Sequence, residues 1–214
     1  MIIAIDGPAG VGKSSIAKRI AEKLGFLYLN SGNLYRAVTW IMLDKGFTPE
    51  QTESILTEAE KSNFSLIDGQ LYTGNTCIED QLHTDRIDAL VAPVSSDIQI
   101  REFVNKKLRE IAENLNCIVE GRDISTIVFP DADIKVFLDA NADVRAERRF
   151  NQGFSTLAKE EIKEKIIERD NIDKNKKYGK LKIAKDALYL DTSYLTIEQV
   201  CERVLYTFTD KLNQ

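Results

Sequence analysis

The stretch Ile2-Ile3-Ala4-Ile5-Asp6-Gly7-Pro8-Ala9-Gly10-Val11-Gly12-Lys13-Ser14-Ser15 decides the fold of this chain. Its first four residues are apolar and mostly β-branched, which predicts a buried strand. A glycine-rich turn ending in Gly12-Lys13-Ser14 follows, and apolar residues then recur at helical spacing through Leu24. A strand, such a turn and a helix in this order predict a P-loop, which binds nucleotide phosphates.

The glycines at positions 7, 10 and 12 explain why this turn suits phosphate. They allow backbone turns that direct successive N–H groups at one anion, at the positive end of the following helix. The pattern predicts that Lys13 contacts the β- and γ-phosphates and that the Ser14 hydroxyl binds Mg²⁺. The alternative is a glycine-rich turn with a chance lysine, which the flanking strand and helix disfavour. The predicted ATP-binding residues are Gly7, Pro8, Ala9, Gly10, Val11, Gly12, Lys13, Ser14 and Ser15.

Composition limits the classes of protein that fit. The 214 residues are 43% hydrophobic, enough for one domain with an insert. A formal charge of −5 disfavours nucleic-acid and membrane-surface binding, because both rely on basic faces. Met1 leads straight into strand residues and no apolar run approaches the roughly 20 residues of a membrane span, so we expect a cytoplasmic protein. Cys77, Cys117 and Cys201 lack the spacing of zinc or disulfide sites, and the lone His83 predicts no metal centre.

Polar residues follow the second predicted strand, residues 26–29. Gly25 is expected to end the first helix, and the strand is expected to run beside the P-loop strand. Ser31, Tyr35 and Arg36 come next, ahead of an apolar helix. Because α/β proteins bind ligands at the carboxyl ends of parallel strands, we expect these three residues at the site. Arg36 suits an anionic oxygen, and a solvated helix charge is the alternative.

An inserted subdomain is predicted in the middle of the chain. The hydrophobic period there changes to that of short strands separated by tight-turn dipeptides, which predicts an antiparallel meander. Because the alternation of strands and helices resumes afterwards, we interpret the meander as a subdomain that closes on substrate. The predicted elements are a helix from Thr48-Pro49, strands within residues 64–80, turns at Asp68-Gly69 and Gly74-Asn75, and helices over residues 84–92 and 95–115.

The second half returns to alternating strands and helices. Arg122 and Asp123 follow the third core strand and are placed in the site, with a surface ion pair as the alternative. Two arginine-bearing helices joined by a polar break suit a mobile lid over phosphates, and a solvated helical hairpin has the same pattern. The predicted elements are strands at residues 117–120, 134–138 and 187–191, lid helices from Asn141 and from Leu157 to residues 168–173 with a break from Asn151 to Ser155, and a last helix over residues 196–212.

These elements predict an α/β fold of the P-loop NTPase class. We expect a five-stranded parallel sheet flanked by helices, with a small inserted antiparallel-sheet subdomain and a helical lid. The core is placed at residues 1–36, 93–142 and 183–214, the insert at about 37–92 and the lid at about 143–182. Phosphoryl transfer needs mainly positioning and charge stabilisation, for which guanidinium groups are suited. The cationic candidates are Lys13, Arg36, Arg101, Arg122, Arg145, Arg148, Arg149, Arg169 and Lys176, with Lys13, Arg122, Arg149 and Arg169 as the predicted catalytic residues.

Over nearly its whole length the sequence resembles the bacterial cytidylate kinases. The Gly-Arg-Asp to Phe-Pro-Asp-Ala stretch is the most specific of the shared motifs, whereas the P-loop occurs in many NTPases. The resemblance implies ATP-dependent phosphorylation of CMP and dCMP with Mg²⁺, by a monomer whose insert binds the nucleoside monophosphate. The motifs that carry it are residues 5–15, Ser31-Gly32-Asn33-Leu34-Tyr35-Arg36, Gly121-Arg122-Asp123 through Val128-Phe129-Pro130-Asp131-Ala132, Glu168-Arg169-Asp170 and Asp191-Thr192-Ser193.

The resemblance also implies roles for individual residues. Residues matching Arg36, Arg122 and Arg169 hold the acceptor phosphate in that family. Those matching Arg101 and Asp123 contact the cytosine, and no general base is needed, because the attacking phosphate oxygen is already ionised. With the sugar contacts included, the predicted CMP-binding residues are Ser31, Tyr35, Arg36, Arg101, Arg122, Asp123, Arg169, Asp173 and Lys176.

The chain departs from the family pattern at several site positions. Ala92 stands where the family has a serine that contacts the cytosine, which removes a hydroxyl from the base pocket. Losing one such hydrogen bond costs about 1 kcal/mol, so UMP is expected to compete better. The other departures are His83, Ser125, Ile172 and Lys176, and a lid that is a few residues shorter.

Three other functions fit parts of the pattern. One is a P-loop kinase acting on UMP, AMP or shikimate, which the meander and residues 121–132 disfavour. A second is a nucleotide-dependent switch, but its guanine-reading Asn-Lys-x-Asp motif fails at Tyr178 in residues 175–178. A third is nucleic-acid binding through the arginine-rich lid, which the net charge of −5 disfavours.

Overall fold

A computed structural model describes residues 1–67, 69–153 and 157–212. Its chain divides into two compact units, Met1–Tyr28 with Leu115–Gln214, and Leu29–Asn114. Two features predicted from the sequence fall partly outside the described residues: Asp68 of the first tight turn, and the end of the break between the lid helices. No helix within the described ranges has the length and apolar character to cross a membrane.

Strands and helices alternate along the chain in the predicted manner. In order, they are β1 (Ile2–Asp6), α1 (Lys13–Leu24), β2 (Leu27–Asn30), α2 (Ser31–Asp44), α3 (Thr52–Lys61), β3 (Phe64–Ile67), β4 (Gln70–Thr73), β5 (Thr76–Cys77), α4 (Asp85–Val94), α5 (Ile98–Ala112), β6 (Cys117–Gly121), β7 (Ile134–Asp139), α6 (Ala142–Asn151), α7 (Lys159–Asn175), β8 (Leu188–Asp191) and α8 (Ile197–Leu212). A single π-helical turn, Ile124–Val128, follows β6.

The main sheet has the strand order β2-β6-β1-β7-β8. Pairing of β1 with β6 and β7, and of β7 with β8, is parallel, so the predicted five-stranded parallel sheet is confirmed. One detail of the prediction was wrong: β2 does not run beside β1, because β6 lies between them. The turn after β6 is therefore the one that adjoins the P-loop strand.

The core of the first unit lies between this sheet and the helices α1 and α8. Ile3 and Ile5 of β1 are fully buried, as are Ile20 of α1 and Val204 of α8. Burying each such side chain stabilises the fold by about 1.5–3 kcal/mol. The apolar run at the start of the sequence is thus the centre of the unit, and it fixes where the following loop begins.

The second unit contains the predicted meander, β3-β4-β5, with antiparallel pairing. Phe64 of β3 packs edge-on against Phe103 of α5, with 6.5 Å between ring centroids. Three side chains of this unit are fully buried: Ile55 of α3, Leu71 of β4 and Ile78, which directly follows β5. The change of hydrophobic period in the sequence therefore identified a real change of architecture.

Two helix starts differ from the sequence prediction. The helix predicted from Thr48-Pro49 starts at Thr52, because Gln51 closes a turn on Thr48: its N–H donates to the Thr48 carbonyl and its Oε1 accepts the Thr48 N–H. The helix predicted from Ser95 starts at Ile98, because the Asp97 carboxylate caps it by accepting the N–H groups of residues 99 and 100. Local side-chain hydrogen bonds decided both boundaries.

Two other helices also differ from the prediction in their bounds. Helix α2 follows β2 at once, since the Asn30 side chain caps it by accepting the Gly32 N–H at 2.9 Å. Ser31 and Arg36 are therefore helical residues rather than parts of a preceding loop. Helix α7 continues past the predicted end at Asp173 to Asn175.

Candidate active site

The P-loop has the predicted strand-turn-helix form. Gly10 and Gly12 have φ values of 74° and 97°, which L-residues rarely adopt. Gly7 is fixed for another reason, because a Cβ there would lie 2.2 Å from the Leu138 carbonyl oxygen of β7. The loop is thus held against the neighbouring strand, and α1 begins directly after it, at Lys13.

Lys13 is buried at the start of α1. Its Nζ donates to the carbonyl oxygens of Gly7 and Pro8 at 2.9 and 2.8 Å. Burial, together with the nearby positive charge of Arg122, lowers the pKa of Lys13 to about 7, against the opposing effect of nearby carboxylates. The lysine is therefore poised to take up a proton when an anion enters the loop.

Ser14 and Ser15 are exposed in the first turn of α1. The Ser14 hydroxyl fits a Mg²⁺ ion that keeps most of its ligands as water and phosphate oxygens, since such sites need only one or two oxygen atoms from the protein. Within residues 1–67, 69–153 and 157–212, no group of three acidic, histidine or cysteine side chains is arranged to hold a metal on its own.

Asp6 ties the P-loop strand to the turn after β6. Its fully buried carboxylate accepts the N–H groups of Ile124 and Ser125 at 2.8 Å each, and the Ser125 hydroxyl at 2.5 Å. Burial raises the pKa of Asp6, while these three hydrogen bonds lower it. The π-helical turn is therefore anchored beside β1, and Arg122 and Asp123 immediately precede that anchor.

Four residues of the first unit form what we call the Asp173 cluster: Arg122, Arg169, Asp173 and Lys176. The Asp173 carboxylate lies 2.8 Å from Arg122 Nε, 3.5 Å from Arg169 Nε and 3.4 Å from Lys176 Nζ. Burial would raise the pKa of Asp173, but the three cations lower it to about 2. The structure thus brings together four of the residues predicted to bind CMP, with an excess of positive charge.

Helices α6 and α7, which were predicted to form a lid, contact the P-loop through Arg145 and Asp170. Their side chains form a buried ion pair at 2.7 Å. Arg145 also donates to the carbonyl oxygens of Ala9 and Ala140, both at 2.9 Å, and Asp170 Oδ1 accepts the Ala9 N–H at 3.4 Å. Arg145 was a candidate phosphate ligand by sequence. In the structure its guanidinium is instead bound to three protein groups, from Ala9, Ala140 and Asp170.

The other two arginines of α6 differ from each other. Arg148 donates to the carbonyl oxygen and Oγ1 of Thr192, at 2.6 and 3.2 Å, so it joins α6 to the segment after β8. Arg149 is exposed on α6. A cleft of about 300 Å³ opens beside that segment and is lined by Asp139, Ala140, Asn141, Asp191, Ser193 and Tyr194.

The second unit contains the remaining predicted residues. Arg36 lies between Asp88 of α4, at 2.5 Å, and the Leu82 carbonyl oxygen, at 3.0 Å. The Arg101 guanidinium lies over the Tyr35 ring, 5.3 Å from its centroid, and donates to the Ser95 carbonyl oxygen at 2.9 Å. Ser31 is buried in the first turn of α2.

Sequence reasoning overlooked three carboxylates that hold parts of the candidate site in place: Asp6, Asp88 and Asp170. Asp6 could have been found, since it stands between a buried strand and the P-loop, where a charged residue needs partners. Asp170 could have been found because it follows Arg169 directly in the Glu168-Arg169-Asp170 motif. Asp88 gave no signal, because its pairing with Arg36 joins positions 52 residues apart on different helices.

Comparisons with known proteins identify the family. A family model described as cytidylate kinase matches residues 3–210. The chain is 44% identical to the cytidylate kinase of Borrelia hermsii over 220 residues and 42% identical to that of Borrelia duttonii over 218, covering 99% of both chains in each case. In fold alone, it is similar to the shikimate kinase from Bacteroides thetaiotaomicron, with a TM-score of 0.50, 16% identity and 98% of each chain covered. The predicted resemblance is confirmed, and the chain belongs to the cytidylate kinase family.

Proposed function

We propose that this cytidylate kinase transfers the γ-phosphoryl group of ATP to CMP and dCMP, releasing ADP and CDP or dCDP. An oxygen of the acceptor phosphate attacks the γ-phosphorus, and the bond from that phosphorus to the β-phosphate oxygen breaks. The acceptor oxygen is already ionised, so no general base takes part. The protein contributes positioning and charge stabilisation.

Arg122 is the residue that best supports this proposal. It is hydrogen-bonded to Asp173 at 2.8 Å, and its charge acts on the P-loop residue Lys13. A guanidinium that belongs to the Asp173 cluster and whose charge also acts on Lys13 is suited to hold an acceptor phosphate in line with the γ-phosphate. We assign Lys13 to the β- and γ-phosphates of ATP, and Arg122 and Arg169 to the acceptor phosphate and the transferring group.

The remaining donor contacts follow from the P-loop. Residues 7–15 bind the ATP phosphates, and the Ser14 hydroxyl binds the Mg²⁺ that the nucleotide carries. When bound, Mg²⁺ neutralises the charge that develops on the phosphate oxygens. Arg149, exposed on α6, is assigned to the same phosphates. The polar cleft beside the segment after β8 offers a surface for the base of the donor.

Acceptor binding in the second unit is assigned to Ser31, Tyr35, Arg36 and Arg101. Arg36 binds the acceptor phosphate. Arg101 is assigned to the cytosine. In the first unit, Asp123 is assigned to the cytosine, and Asp173 and Lys176 to the sugar. The Tyr35 ring packs against the Arg101 guanidinium and restricts its orientation, which suits hydrogen bonding to the edge of a base.

UMP is the second acceptor that the structure favours. The nearest hydroxyls to Ala92 along the chain, those of Ser95 and Ser96, donate to the Ala92 carbonyl oxygen at 3.0 and 2.9 Å. They are committed to the backbone, so they do not replace the hydroxyl that Ala92 lacks. We therefore propose a weaker preference for cytosine over uracil than a serine at this position would give.

We further propose that the protein works as a cytoplasmic monomer, without nucleic-acid or membrane partners. The net charge of −5 supports the proposed lack of nucleic-acid and membrane partners, because neither anionic partner would be attracted to it. The boundaries of the insert and lid proposed from the sequence, about 37–92 and 143–182, remain part of the same proposal.

The test is the formation of ADP from ATP and Mg²⁺ with one acceptor at a time: CMP, dCMP, UMP, AMP, GMP or shikimate. We expect the highest kcat/KM for CMP and dCMP, with UMP next. Equal use of AMP or shikimate would contradict the substrate assignment. ADP release that is independent of any acceptor would contradict acceptor phosphorylation itself and favour a nucleotide switch.

A further inference from the structure

Arg36 is already engaged by protein groups in the second unit. Its Nη2 lies 2.5 Å from Asp88 Oδ1, and its Nη1 donates to the Leu82 carbonyl oxygen at 3.0 Å. The Arg36 side chain is 22% exposed, and that of Asp88 is 46% exposed. Both terminal nitrogens of the guanidinium therefore hold oxygen atoms of the chain itself.

Asp88 is well placed to carry a negative charge. It lies in the first turn of α4, where Thr84 caps the helix by accepting the Ile87 N–H. The positive end of the helix dipole and the Arg36 guanidinium both attract the Asp88 carboxylate. Arg36 thus contacts an anion where the proposed function places the acceptor phosphate.

We propose that Asp88 competes with the acceptor phosphate for Arg36 and thereby raises the KM for CMP. This inference rests on the proposed role of Arg36. Carboxylate and phosphate oxygens use the same N–H groups of a guanidinium, so both cannot hold the same face at once. Asp88 is half exposed, so its carboxylate can turn into solvent when the dianionic phosphate arrives.

The strength of the ion pair between Arg36 and Asp88 determines how much the KM for CMP is raised. Ion pairs between partly exposed side chains are weak, so the exchange lowers CMP affinity without preventing binding. The alternative role for Asp88 is to orient Arg36 for the phosphate. The two roles predict opposite signs, because removing a competitor tightens CMP binding whereas removing an orienting partner weakens it.

The test compares Asp88→Asn with Asp85→Asn. Asp85 is exposed in the same first turn of α4, so its variant removes the same charge from the same helix end. We expect Asp88→Asn to lower the KM for CMP by about two- to fivefold, with the KM for ATP and kcat unchanged, and Asp85→Asn to leave all three unchanged. An unchanged or raised KM for CMP in Asp88→Asn, or an equal fall in both variants, would overturn the inference.

An equilibrium readout is available from Trp40, the single tryptophan, which lies one helical turn after Arg36 in α2. Titration of its fluorescence with CMP gives the dissociation constant without turnover. The Asp88→Asn variant is expected to show the same two- to fivefold tightening there, at about the strength of one exposed ion pair.

Introducing Asp88→Asn into an Arg36→Ala background tests the proposed role of Arg36 and the proposed competition by Asp88 separately. If Asp88 acts through Arg36, its substitution has no effect on CMP binding once Arg36 is gone. If Arg36→Ala alone leaves the KM for CMP unchanged, the proposed role of Arg36 fails. If Arg36→Ala raises that KM but Asp88→Asn does not lower it, only the competition fails.

Discussion

Arg145 and Asp170 form a buried ion pair that holds both the N–H and the carbonyl group of Ala9 in the P-loop. The two side chains come from α6 and α7, the helices interpreted as the lid. The P-loop and these two helices are therefore joined through one charged contact. A change in either is expected to reach the other.

We expect Asp170→Asn to destabilise the protein strongly and to raise the KM for ATP. The substitution leaves the buried Arg145 charge without its counter-ion, which costs about 3–5 kcal/mol in such pairs. Urea unfolding gives the stability. Asp143→Asn is the control, because Asp143 and Lys163 also join α6 to α7 but are exposed, and its cost should stay below about 1 kcal/mol. Equal costs for the two variants would refute the buried-pair interpretation.

Asp173 should contribute to stability in a pH-dependent way. Its pKa of about 2 in the fold lies below the ordinary value of 3.8, so its contribution is complete above about pH 4 and is lost as the pH falls through about 2. From this shift we expect the ionised Asp173 carboxylate to contribute about 2 kcal/mol to the free energy of unfolding at neutral pH. The measurement is the difference in unfolding free energy between wild type and Asp173→Asn. A difference that stays constant down to about pH 2 would contradict the assignment.

The affinity for MgATP should fall as the pH rises through the pKa of Lys13. That pKa is about 7 in the nucleotide-free protein, and the phosphates bind the protonated form. Affinity is therefore highest below pH 7 and should drop by roughly fivefold between about pH 7 and 8. Calorimetric titration in buffers of different ionisation enthalpy would detect the proton taken up. Lys13→Arg, whose guanidinium stays charged, should show no such uptake.

Arg122→Ala should remove most acceptor-dependent activity while ATP still binds. Losing charge-assisted hydrogen bonds to the acceptor phosphate corresponds to a fall of about 100-fold in kcat/KM for CMP. ATP dissociation constants measured in parallel should change little. Arg203→Ala, at an exposed position of α8, is the control for loss of an arginine. An equal loss of ATP affinity in Arg122→Ala would argue against its role at the acceptor.

Ala92→Ser should sharpen the choice of base. The added hydroxyl gives the pocket a hydrogen-bonding group that Ser95 and Ser96 do not supply. We expect the ratio of kcat/KM for CMP to that for UMP to rise by about fivefold, the equivalent of one net hydrogen bond. Equal gains for both acceptors would show that the hydroxyl does not distinguish the bases.

The sequence predicted those parts of the fold that follow from local pattern. The run from Ile2 to Ile5 and the glycines after it define β1, the P-loop and the start of α1, since hydrophobic period and backbone freedom act over a few residues. The meander was also predicted correctly, because its turns have distinctive residues. Helix starts were less predictable: Gln51 and Asp97 set them by side-chain hydrogen bonds that compete with the general helix signals.

The candidate site was only partly predictable for a different reason. Cationic residues are visible in the sequence, but their partners are not, because the pairing depends on the tertiary fold. Arg145 and Arg122 were both candidate phosphate ligands by sequence, yet one binds Asp170 and Ala9 while the other binds Asp173. Which arginines are available to a phosphate is therefore a property of the folded chain.

The contact between Gly7 and β7 has a consequence for how this chain tolerates substitution. Since a Cβ at Gly7 would overlap the Leu138 carbonyl oxygen, even alanine would force β7 and the loop apart. Selection for folding alone, in cells that have no use for the kinase, should therefore still retain glycine at this position. At Ser14, whose side chain is exposed, the same selection should accept many residues. Gly7 and Ser14 lie in the same motif but are expected to be under different constraints. The fold constrains Gly7, whereas the proposed nucleotide binding would constrain Ser14.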